Sequence, residues 1–484
     1  MKIKKPNFKK PNIKFNKKIV TIAIIALVVV ALIVAGLFIF VFGGDKEPSL
    51  EEIIENRAES YKTDFIDSTH QMKDQASVTK YLVNWAENKG IDVTTDQNNN
   101  VIYSFDATEG LESRKPTVIL CGYDYSCIES YANSIVSALT LARDENPHGK
   151  YTIIFVSEEN GDREAGHKIP KSYLEEANEV FYLANDTASK IASSSAGVTE
   201  LEFTSDIYKA SPGYNKAYKV TIAGLPSQAV TSSSASLPNP IKTLGNLLAT
   251  FKSKSVLFDL VEFTGGNENS QTPGEASITI VVSEDATSKV ESRLDSAIES
   301  FNDKYGEKYP EATYSYEVVA MPYEVIHSDV TESLISLLYT APNGTYFKDD
   351  DKNITAFSSI TAIDVVSGTA KINVVCSGYD EEKVNEMIDS FQTICALTDI
   401  EYKEVKSYPI YRSTIKGTAL GERFKESYFE YKTNTLDTAS VEQYTMCSAI
   451  AEDYPDLVLT ALGVTNKTKD NFAGGFIVHL GKLS

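Results

Sequence analysis

The sequence has few residues of the kinds that build redox and metal motifs. It holds five cysteines, five histidines and one tryptophan in 484 residues. It contains neither a Cys-x-x-Cys pair nor a cysteine–histidine metal spacing, and the odd, scattered cysteines exclude a disulfide framework. Cys121 and Cys127 could form one local disulfide or remain free. A Gly-x-Ser-x-Gly nucleophile turn, a Walker phosphate loop and a dinucleotide-binding fingerprint are also absent.

Basic residues are scarce as well. The chain has 46 lysines and arginines against 67 acidic residues, a net charge of -21. The first 18 residues alone carry eight lysines and no acid, so the remainder is more acidic still. Such a surface argues against nucleic acid as a partner. A solvating, halophile-like acidic surface is the alternative meaning of this charge.

One long apolar run stands out, residues 19–42, with 24 residues and no charge. As a helix it would span roughly 36 Å, enough for a bilayer core. It is longer than the apolar region of a cleavable signal peptide. The sequence therefore predicts an uncleaved transmembrane helix. The lysine-rich segment 1–18 would stay in the cytoplasm, which makes the chain a single-pass membrane protein with its C-terminal domain outside.

The rest of the chain alternates apolar strands with helices. Apolar runs predict strands at 100–105, 117–122, 151–161 and 179–186, with helices between them. This pattern is typical of an α/β fold with a partly parallel sheet buried on both faces. Beyond about residue 199 the strands alternate every second residue, as half-exposed strands do. Near the C-terminus, helical patterns are predicted at 419–431 and 440–452.

Two stretches indicate a site at the ends of buried strands. Val118–Cys127, written VILCGYDYSC, passes from an apolar strand into a tight polar turn. The strand at 151–161 ends in the paired acids Glu158 and Glu159. Adjacent parallel strands bring such ends to one edge of the sheet. Tyr123, Tyr125 and Tyr131 could line a cleft there, although ordinary packing explains three tyrosines equally well.

The order of these stretches resembles the aminoacyl-histidine (Xaa-His, carnosinase-like) dipeptidases of the zinc metallopeptidase and aminoacylase superfamily. TVILCGYDY stands where that family has a strand ending in Gly-His-x-Asp, and IIFVSEENG where it has Asp-Glu-Glu-x-Gly. ANSIVSALTLA matches its Asp-Asn-Gly helix, and FTGGNENSQTPGEASITIVV and SLISLLYTAPNGTYFKDDDKNITAFSS match its lid. The resemblance runs collinearly from about residue 50 to the C-terminus.

The resemblance implies a three-layer peptidase-like domain with an inserted α+β lid and dimerisation region, and possible homodimers. The corresponding domains are listed in chain order: the cytoplasmic segment 1–18, the transmembrane helix 19–42, the first part of the peptidase-like domain 43–198, the inserted region 199–400 and the last part of the peptidase-like domain 401–484.

The resemblance also implies a two-zinc hydrolase, but most of the implied ligands are replaced. The first His ligand falls on Tyr123, the Asp that supports the base on Tyr125, and the bridging Asp on Ala132. The general base position keeps Glu158, and the next ligand position keeps Glu159. Without its imidazoles and bridging carboxylate, a two-zinc centre is not expected.

Further implied positions lie downstream. The next Asp ligand falls on Asn185 or Asp186, and the C-terminal His near Asp470. The lid His that contacts substrate falls around Gln228 or Ala229, and the lid Arg on Cys376. Separately, Glu442 stands in place of a His in a C-terminal family motif.

Three hypotheses follow. The first is a catalytically degenerate, membrane-anchored relative that binds a peptide, a cell-wall fragment or a protein partner, without a cofactor and with Glu158 vestigial. The second is an active metallo-dipeptidase, using zinc or another divalent metal such as manganese. In it Glu159, Asp186 and Asp470 would hold one ion and Glu158 would act as base. The third is a structural or assembly scaffold.

Overall fold

A computed structural model describes residues 48–186, 188–266, 271–398 and 400–482. The chain divides into two compact units, Met1–Ile53 and Ile54–Ser484. The α-helices of the described residues are α1 (Leu50–Thr69), α2 (Gln75–Glu87), α3 (Ala132–Leu141), α4 (Lys171–Glu176), α5 (Pro240–Ser253), α6 (Thr287–Tyr305), α7 (Ser328–Thr340), α8 (Glu381–Cys395), α9 (Ile415–Lys432), α10 (Cys447–Asp453) and α11 (Lys469–Gly481).

The strands, numbered in the same way, are β1 (Asp92–Thr95), β2 (Val101–Phe105), β3 (Thr117–Tyr123), β4 (Tyr151–Ser157), β5 (Glu179–Asn185), β6 (Lys190–Asp206), β7 (Lys209–Ala210), β8 (Lys216–Ala223), β9 (Phe258–Gly266), β10 (Ala276–Val282), β11 (Thr313–Val319), β12 (Val325–Ile326), β13 (Gly344–Lys348), β14 (Ile354–Val365), β15 (Thr369–Gly378), β16 (Glu401–Tyr408), β17 (Tyr411–Arg412), β18 (Asp437–Tyr444) and β19 (Leu459–Val464).

Several helices begin at a polar residue that caps the free backbone N–H groups of the first turn. The side chain of Asp74 accepts from the backbone N–H three residues later at the start of α2, and Asn239, Asp380 and Thr414 do the same for α5, α8 and α9. Pro240 follows Asn239 at the first helical position, where its missing N–H costs nothing. These caps set where the helices start.

The first sheet is mixed, with a parallel centre. Its order is β1-β2-β4-β3-β5-β19-β6, and β4, β3, β5 and β19 run parallel to one another. β17 and β18 also pair with the first half of β6. Every residue of β3 and β4 is buried, as expected for central strands covered on both faces.

Each face of this sheet packs on its own apolar cluster. Ile119 and Cys121 of β3 face a cluster that includes residues of α1, α2, α3, α9 and α11. Val118 and Leu120 face the opposite cluster, which includes residues of α4 and α10. The alternation follows from the two-residue period of a strand. The expected mixed α/β fold is confirmed, and it fixes which side chains of each strand face which layer.

The second sheet is antiparallel and shares β6 with the first. Its order is β16-β6-β15-β14-β9-β10-β8-β11, with β13 also on β14. Helices α5, α6, α7 and α8 contribute to the apolar cluster packed against it. Since β6 runs continuously through both sheets, it ties the inserted region to the α/β core. The boundaries predicted for the inserted region remain a prediction.

The transmembrane helix predicted at 19–42 lies outside the described residues. Within the part of the chain that the structure describes, no helix is both long and apolar enough to cross a bilayer. The five cysteines are all free thiols, so of the two alternatives for Cys121 and Cys127 the structure shows the unpaired one.

Candidate functional site

A cavity of about 270 Å³ lies at the carboxyl ends of the central parallel strands. Glu158 follows β4 directly, and Asn185 ends β5. A segment of the inserted region, Gln228–Ser233, forms another wall, and Glu442–Tyr444 of β18 a third. The cavity is therefore built where the α/β core meets the inserted region, the usual position of a ligand site in such sheets.

Glu158 lies at the centre of a partly buried hydrogen-bond group. The hydroxyl of Tyr131 donates to its Oε2 at 2.5 Å, and that of Tyr182 to its Oε1 at 3.5 Å. Burial raises the pKa of Glu158 to about 7, and the charges of Asp124 and Asp162 add to this, whereas the hydrogen bond from Tyr131 lowers it. The carboxyl group therefore titrates near neutral pH and is largely protonated only below it.

Two glycines make room for this carboxyl and its turn. A Cβ on Gly122 would lie 2.7 Å from Oε1 of Glu158, so a larger residue there would displace the carboxyl group. Gly161 has φ +70°, the left-handed conformation that glycine adopts without strain, and its N–H donates to Asp124 at 2.7 Å. Asp124, 1 % exposed, also accepts from the backbone N–H and the hydroxyl of Ser126. Asp124 therefore links the turn after β3 to the turn after β4, and it does not line the cavity.

Tyr123 and Tyr125 lie outside the cavity lining. The Tyr123 ring is completely buried, its hydroxyl donates to the carbonyl of Asn99 at 2.6 Å, and it lies 2.8 Å from the hydroxyl of Thr79. Tyr125 packs beside the apolar cluster of α2. Of the three tyrosines that could line a cleft, Tyr131 alone does so.

Gln75, the first residue of α2, forms hydrogen bonds to the turn that follows β3. Its Nε2 donates to the Tyr123 carbonyl at 3.2 Å and the Ser157 hydroxyl at 2.7 Å, and its Oε1 accepts from the Tyr125 N–H at 2.7 Å. The side chain is 3 % exposed. One amide therefore holds the ends of β3 and β4 together.

Replacing Gln75 by alanine should destabilise the fold by about 2 kcal/mol, because the Tyr125 N–H and the Ser157 hydroxyl lose their hydrogen bonds to its amide. Urea unfolding of the full chain measures this change. Gln71→Ala removes an exposed glutamine four residues earlier and should change stability by less than about 0.5 kcal/mol. Equal effects of the two substitutions would contradict the role given to Gln75.

The other positions of the implied metal centre serve internal contacts. Ala132 begins α3 and carries no donor atom. The side-chain amide of Asn185 accepts from the N–H of Ser134 at 3.0 Å and donates to the carbonyl of Ser130. The Asp186 carboxylate, 2 % exposed, pairs with the ammonium of Lys190 at 3.4 Å.

The three carboxylates of the mononuclear hypothesis do not share one place. Glu159 is exposed and lies outside the cavity lining, whereas Asp186 lines it. Asp470, in the first turn of α11, is buried beside Lys469 and Lys432, and burial raises its pKa. In the described ranges no group of three or more His, Cys, Asp or Glu side chains could hold a metal ion. The residues present do not fit the zinc centre that the resemblance implies.

The positions that the resemblance assigns to the lid lie in different surroundings. Gln228 and Ala229, where the resemblance puts a substrate-contacting His, line the cavity. Cys376, where it puts an Arg, is fully buried on β15 within the apolar cluster of the inserted region, and burial raises the pKa of its thiol. A buried thiol there cannot replace a charged, bidentate partner.

Sequence reasoning missed several cavity residues. Tyr182 and Arg163 line the cavity, and so do the hydroxyls of Thr231–Ser233. Arg163 pairs with Glu200 and lies 5.8 Å from the centre of the Tyr408 ring. Tyr182 could have been found from the alternation of β5, but the others come from segments far apart in the chain.

Comparison with known proteins agrees with this fold. The Cytosol non-specific dipeptidase of Escherichia coli (strain K12) is 21% identical over 434 residues, which cover 82% of this chain and 88% of that protein. The crystal structure of aminoacylhistidine dipeptidase from Vibrio alginolyticus superposes with a TM-score of 0.57 at 18% identity, over 84% of this chain and 92% of that one. No protein-family model matches the chain.

The localisation expected from the sequence is contradicted. A single-pass membrane protein with an external C-terminal domain was expected from the run 19–42. No helix of the described residues meets the length and apolarity of a membrane span, and the E. coli relative is named as a cytosol protein. The prediction that the protein is anchored in a membrane is therefore not retained.

The resemblance itself is confirmed, whereas the replacement of the metal ligands stays a prediction. The sequence relative and the matching fold each extend over more than four fifths of the chain. The chain is thus similar in sequence to a non-specific dipeptidase and shares the fold of an aminoacylhistidine dipeptidase.

Proposed function

We propose that the protein is a metal-independent relative of these dipeptidases that binds a short peptide in the cavity and does not hydrolyse it. The observation that carries the proposal is that residues at the implied metal-ligand positions form contacts within the protein. Tyr123 is bound to the Asn99 carbonyl, and Asp186 is paired with Lys190. A carboxylate neutralised by an ammonium group offers little to a second cation.

The contacts of Glu158 support the same proposal. A general base must lie beside the group that it deprotonates. The two carboxylate oxygens of Glu158 instead accept from the hydroxyls of Tyr131 and Tyr182. Its pKa of about 7 suits a base and a binding group equally, so these contacts carry the argument.

The size and lining of the cavity favour a small polar ligand. Its volume of about 270 Å³ lies near the lower end of small-molecule sites. Tyrosine rings, hydroxyls and amides line it, which suits the alternating apolar and polar groups of a dipeptide. A protein partner would need a broader surface than this cavity presents.

Metal analysis and a hydrolysis screen on the purified full chain test the proposal. We expect less than stoichiometric zinc or manganese by mass spectrometry, and no turnover of a dipeptide library with either metal added. We also expect retention of some dipeptides in equilibrium dialysis. Turnover that Glu158→Ala abolishes would establish the active metallo-dipeptidase instead. Absence of both turnover and binding would favour a scaffold.

A further inference from the structure

The inserted region contains two units with the same order of elements. One unit consists of β8, α5, β9, β10, α6 and β11, and its strands pair in the order β9-β10-β8-β11. The other consists of β6, α7, β14, β15, α8 and β16, and its strands pair in the order β14-β15-β6-β16. The two units join where β9 pairs with β14. Strands β11 and β16 therefore occupy equivalent positions, at the two edges of the second sheet.

The two edge strands differ in how well their charges protect them from pairing with another chain. Among the described residues β11 pairs with β8 and β16 with β6, so the outer side of each strand is left without a partner strand. Charged side chains on an edge strand discourage the addition of a further strand. Strand β11 carries one such residue, Glu317. Strand β16 carries both signs of charge, at Glu401, Lys403, Glu404 and Lys406.

Apolar side chains are exposed along β11 and in the segment that follows it. Val318 of β11 is 59 % exposed, and Met321 and Tyr323 beyond the strand are 42 % and 98 % exposed. Single exposed apolar residues are common on protein surfaces. Three of them in so short a stretch, next to a strand edge with little charge, instead form a surface suited to packing against a partner.

The helix beside this edge is acidic. A groove of about 630 Å³ follows α6 and the turn before it. The acidic residues that line this groove are Glu284, Asp285, Glu291, Asp295 and Glu299. The hydroxyl of Tyr316 on β11 donates to Asp295 at 3.0 Å, which places the groove next to the strand edge. Within the part of the chain that the structure describes, Glu291 alone among these acids forms an ion pair, with Lys216 at 3.6 Å.

We propose that the edge of β11 and the acidic face of α6 together bind an extended, basic segment of another protein, which adds to the sheet as a further strand. Main-chain hydrogen bonds to β11 supply the affinity of such a contact, and alternate side chains supply its specificity. Apolar side chains of the segment pack on Val318 and Met321, while its lysines or arginines face the carboxylates of α6.

Charge distinguishes this partner from a second copy of the chain. If β11 paired with β11 of another copy, the two α6 helices would lie side by side on one face of the joined sheet, and their acidic faces would repel each other. A basic segment instead neutralises the groove. The surface is separate from the cavity, because none of the residues that line the cavity belongs to β11 or α6. The inference is thus independent of the proposed function.

Fluorescence anisotropy with synthetic peptides tests the inference on the full chain. The probe is a labelled, end-capped octapeptide of alternating valine and lysine. Its control has two of the valines replaced by proline, which keeps the charge but prevents the strand from forming its ladder of hydrogen bonds. At about 150 mM salt, where long-range attraction to an acidic protein is screened, we expect the alternating peptide to bind at least about tenfold more tightly than its control.

Paired variants locate the contact. Val318→Lys gives β11 the kind of charge that protects β16 and should weaken binding of the alternating peptide about tenfold. Val405→Lys makes the same change on β16, at a valine that is 44 % exposed, and should change binding less than about twofold. Glu299→Gln on α6 should weaken binding about threefold, whereas Glu382→Gln, at an exposed acid on α8, should leave it unchanged. Urea unfolding of each variant checks that it is folded.

Each opposite result would overturn the inference. Equal binding of the two peptides would show that charge alone attracts them and that no strand is added. Equal effects of Val318→Lys and Val405→Lys would show that β11 is not the docking edge. If Val318→Lys does not fold, equal effects of Glu299→Gln and Glu382→Gln reject the acidic face of α6. If the alternating peptide does not bind, the inference is wrong, and sedimentation velocity shows whether a second copy covers the edge instead.

Discussion

Replacing Glu179 by glutamine should destabilise the folded chain by about 3 to 5 kcal/mol, since it removes the carboxylate partner of the buried Arg114 guanidinium. Glu179 begins β5, at the end of the sheet opposite the cavity, and is 5 % exposed. It accepts from Arg423 at 2.7 Å and contacts Nε2 of His479 at 3.0 Å and Arg114 at 3.6 Å. Without its charge, the Arg114 guanidinium would be buried with no carboxylate partner.

The effect should depend on pH in a defined direction. Burial acts to raise the pKa of Glu179, but the hydrogen bonds and charges of His479 and Arg423 outweigh it and lower this pKa to about 2. A carboxylate whose pKa is lower in the folded than in the unfolded state stabilises the fold fully above its unfolded pKa. That contribution is lost as pH falls towards about 2. The difference between wild type and Glu179→Gln should thus shrink between pH 6 and pH 3.

Urea unfolding at several pH values measures both effects. Glu422→Gln is the matched control, because its exposed carboxylate pairs at 3.8 Å with the partly exposed Lys425. Such a pair contributes less than about 1 kcal/mol. A loss below about 1 kcal/mol for Glu179→Gln at pH 6 would show that the buried group does not stabilise the C-terminal helix α11.

The central strands could be predicted from the sequence because their residues are apolar without interruption. β3 and β4 were expected at 117–122 and 151–161, and the structure has Thr117–Tyr123 and Tyr151–Ser157. Because helices cover both faces of these strands, neither face is polar and the apolar run is uninterrupted. The position of Glu158 at the site follows from the same signal.

The segment that carries Glu442 was predicted wrongly. A helix was expected at 440–452, but the structure has strand β18 followed by the short helix α10. Alanine, glutamate and glutamine in this stretch favour a helix locally. Parallel pairing with β6 overrides that preference, and such long-range pairing cannot be read from a local pattern.

The contacts made at the implied ligand positions also could not be predicted from the sequence. The resemblance assigns Tyr123 to one such position and Asn185 or Asp186 to another, but it does not say what these side chains contact. Tyr123 lies on the α2 side of the sheet because of the strand period, and Lys190 reaches Asp186 from the start of β6. Both facts depend on tertiary placement.

Glutamine in place of Glu158 should stabilise the fold at pH 8 by about 2 to 3 kcal/mol and have little effect near pH 4.5. Burial raises the pKa of Glu158 from 4.5 to about 7. Between these values the folded state keeps a proton that the unfolded state releases, so stability falls as pH rises through this range. Above pH 7 the full cost of a buried carboxylate is present. Glutamine carries no such charge and can still accept from Tyr131.

Urea unfolding at pH 4.5, 6 and 8, in buffer with a chelator, measures this difference. Glu159→Gln replaces the adjacent, exposed acid and should change stability by less than about 0.5 kcal/mol at each pH. If Glu158→Gln destabilised the chain at pH 8, the ionised carboxylate would have to be stabilised in the folded state. That result would contradict a pKa that burial raises to about 7.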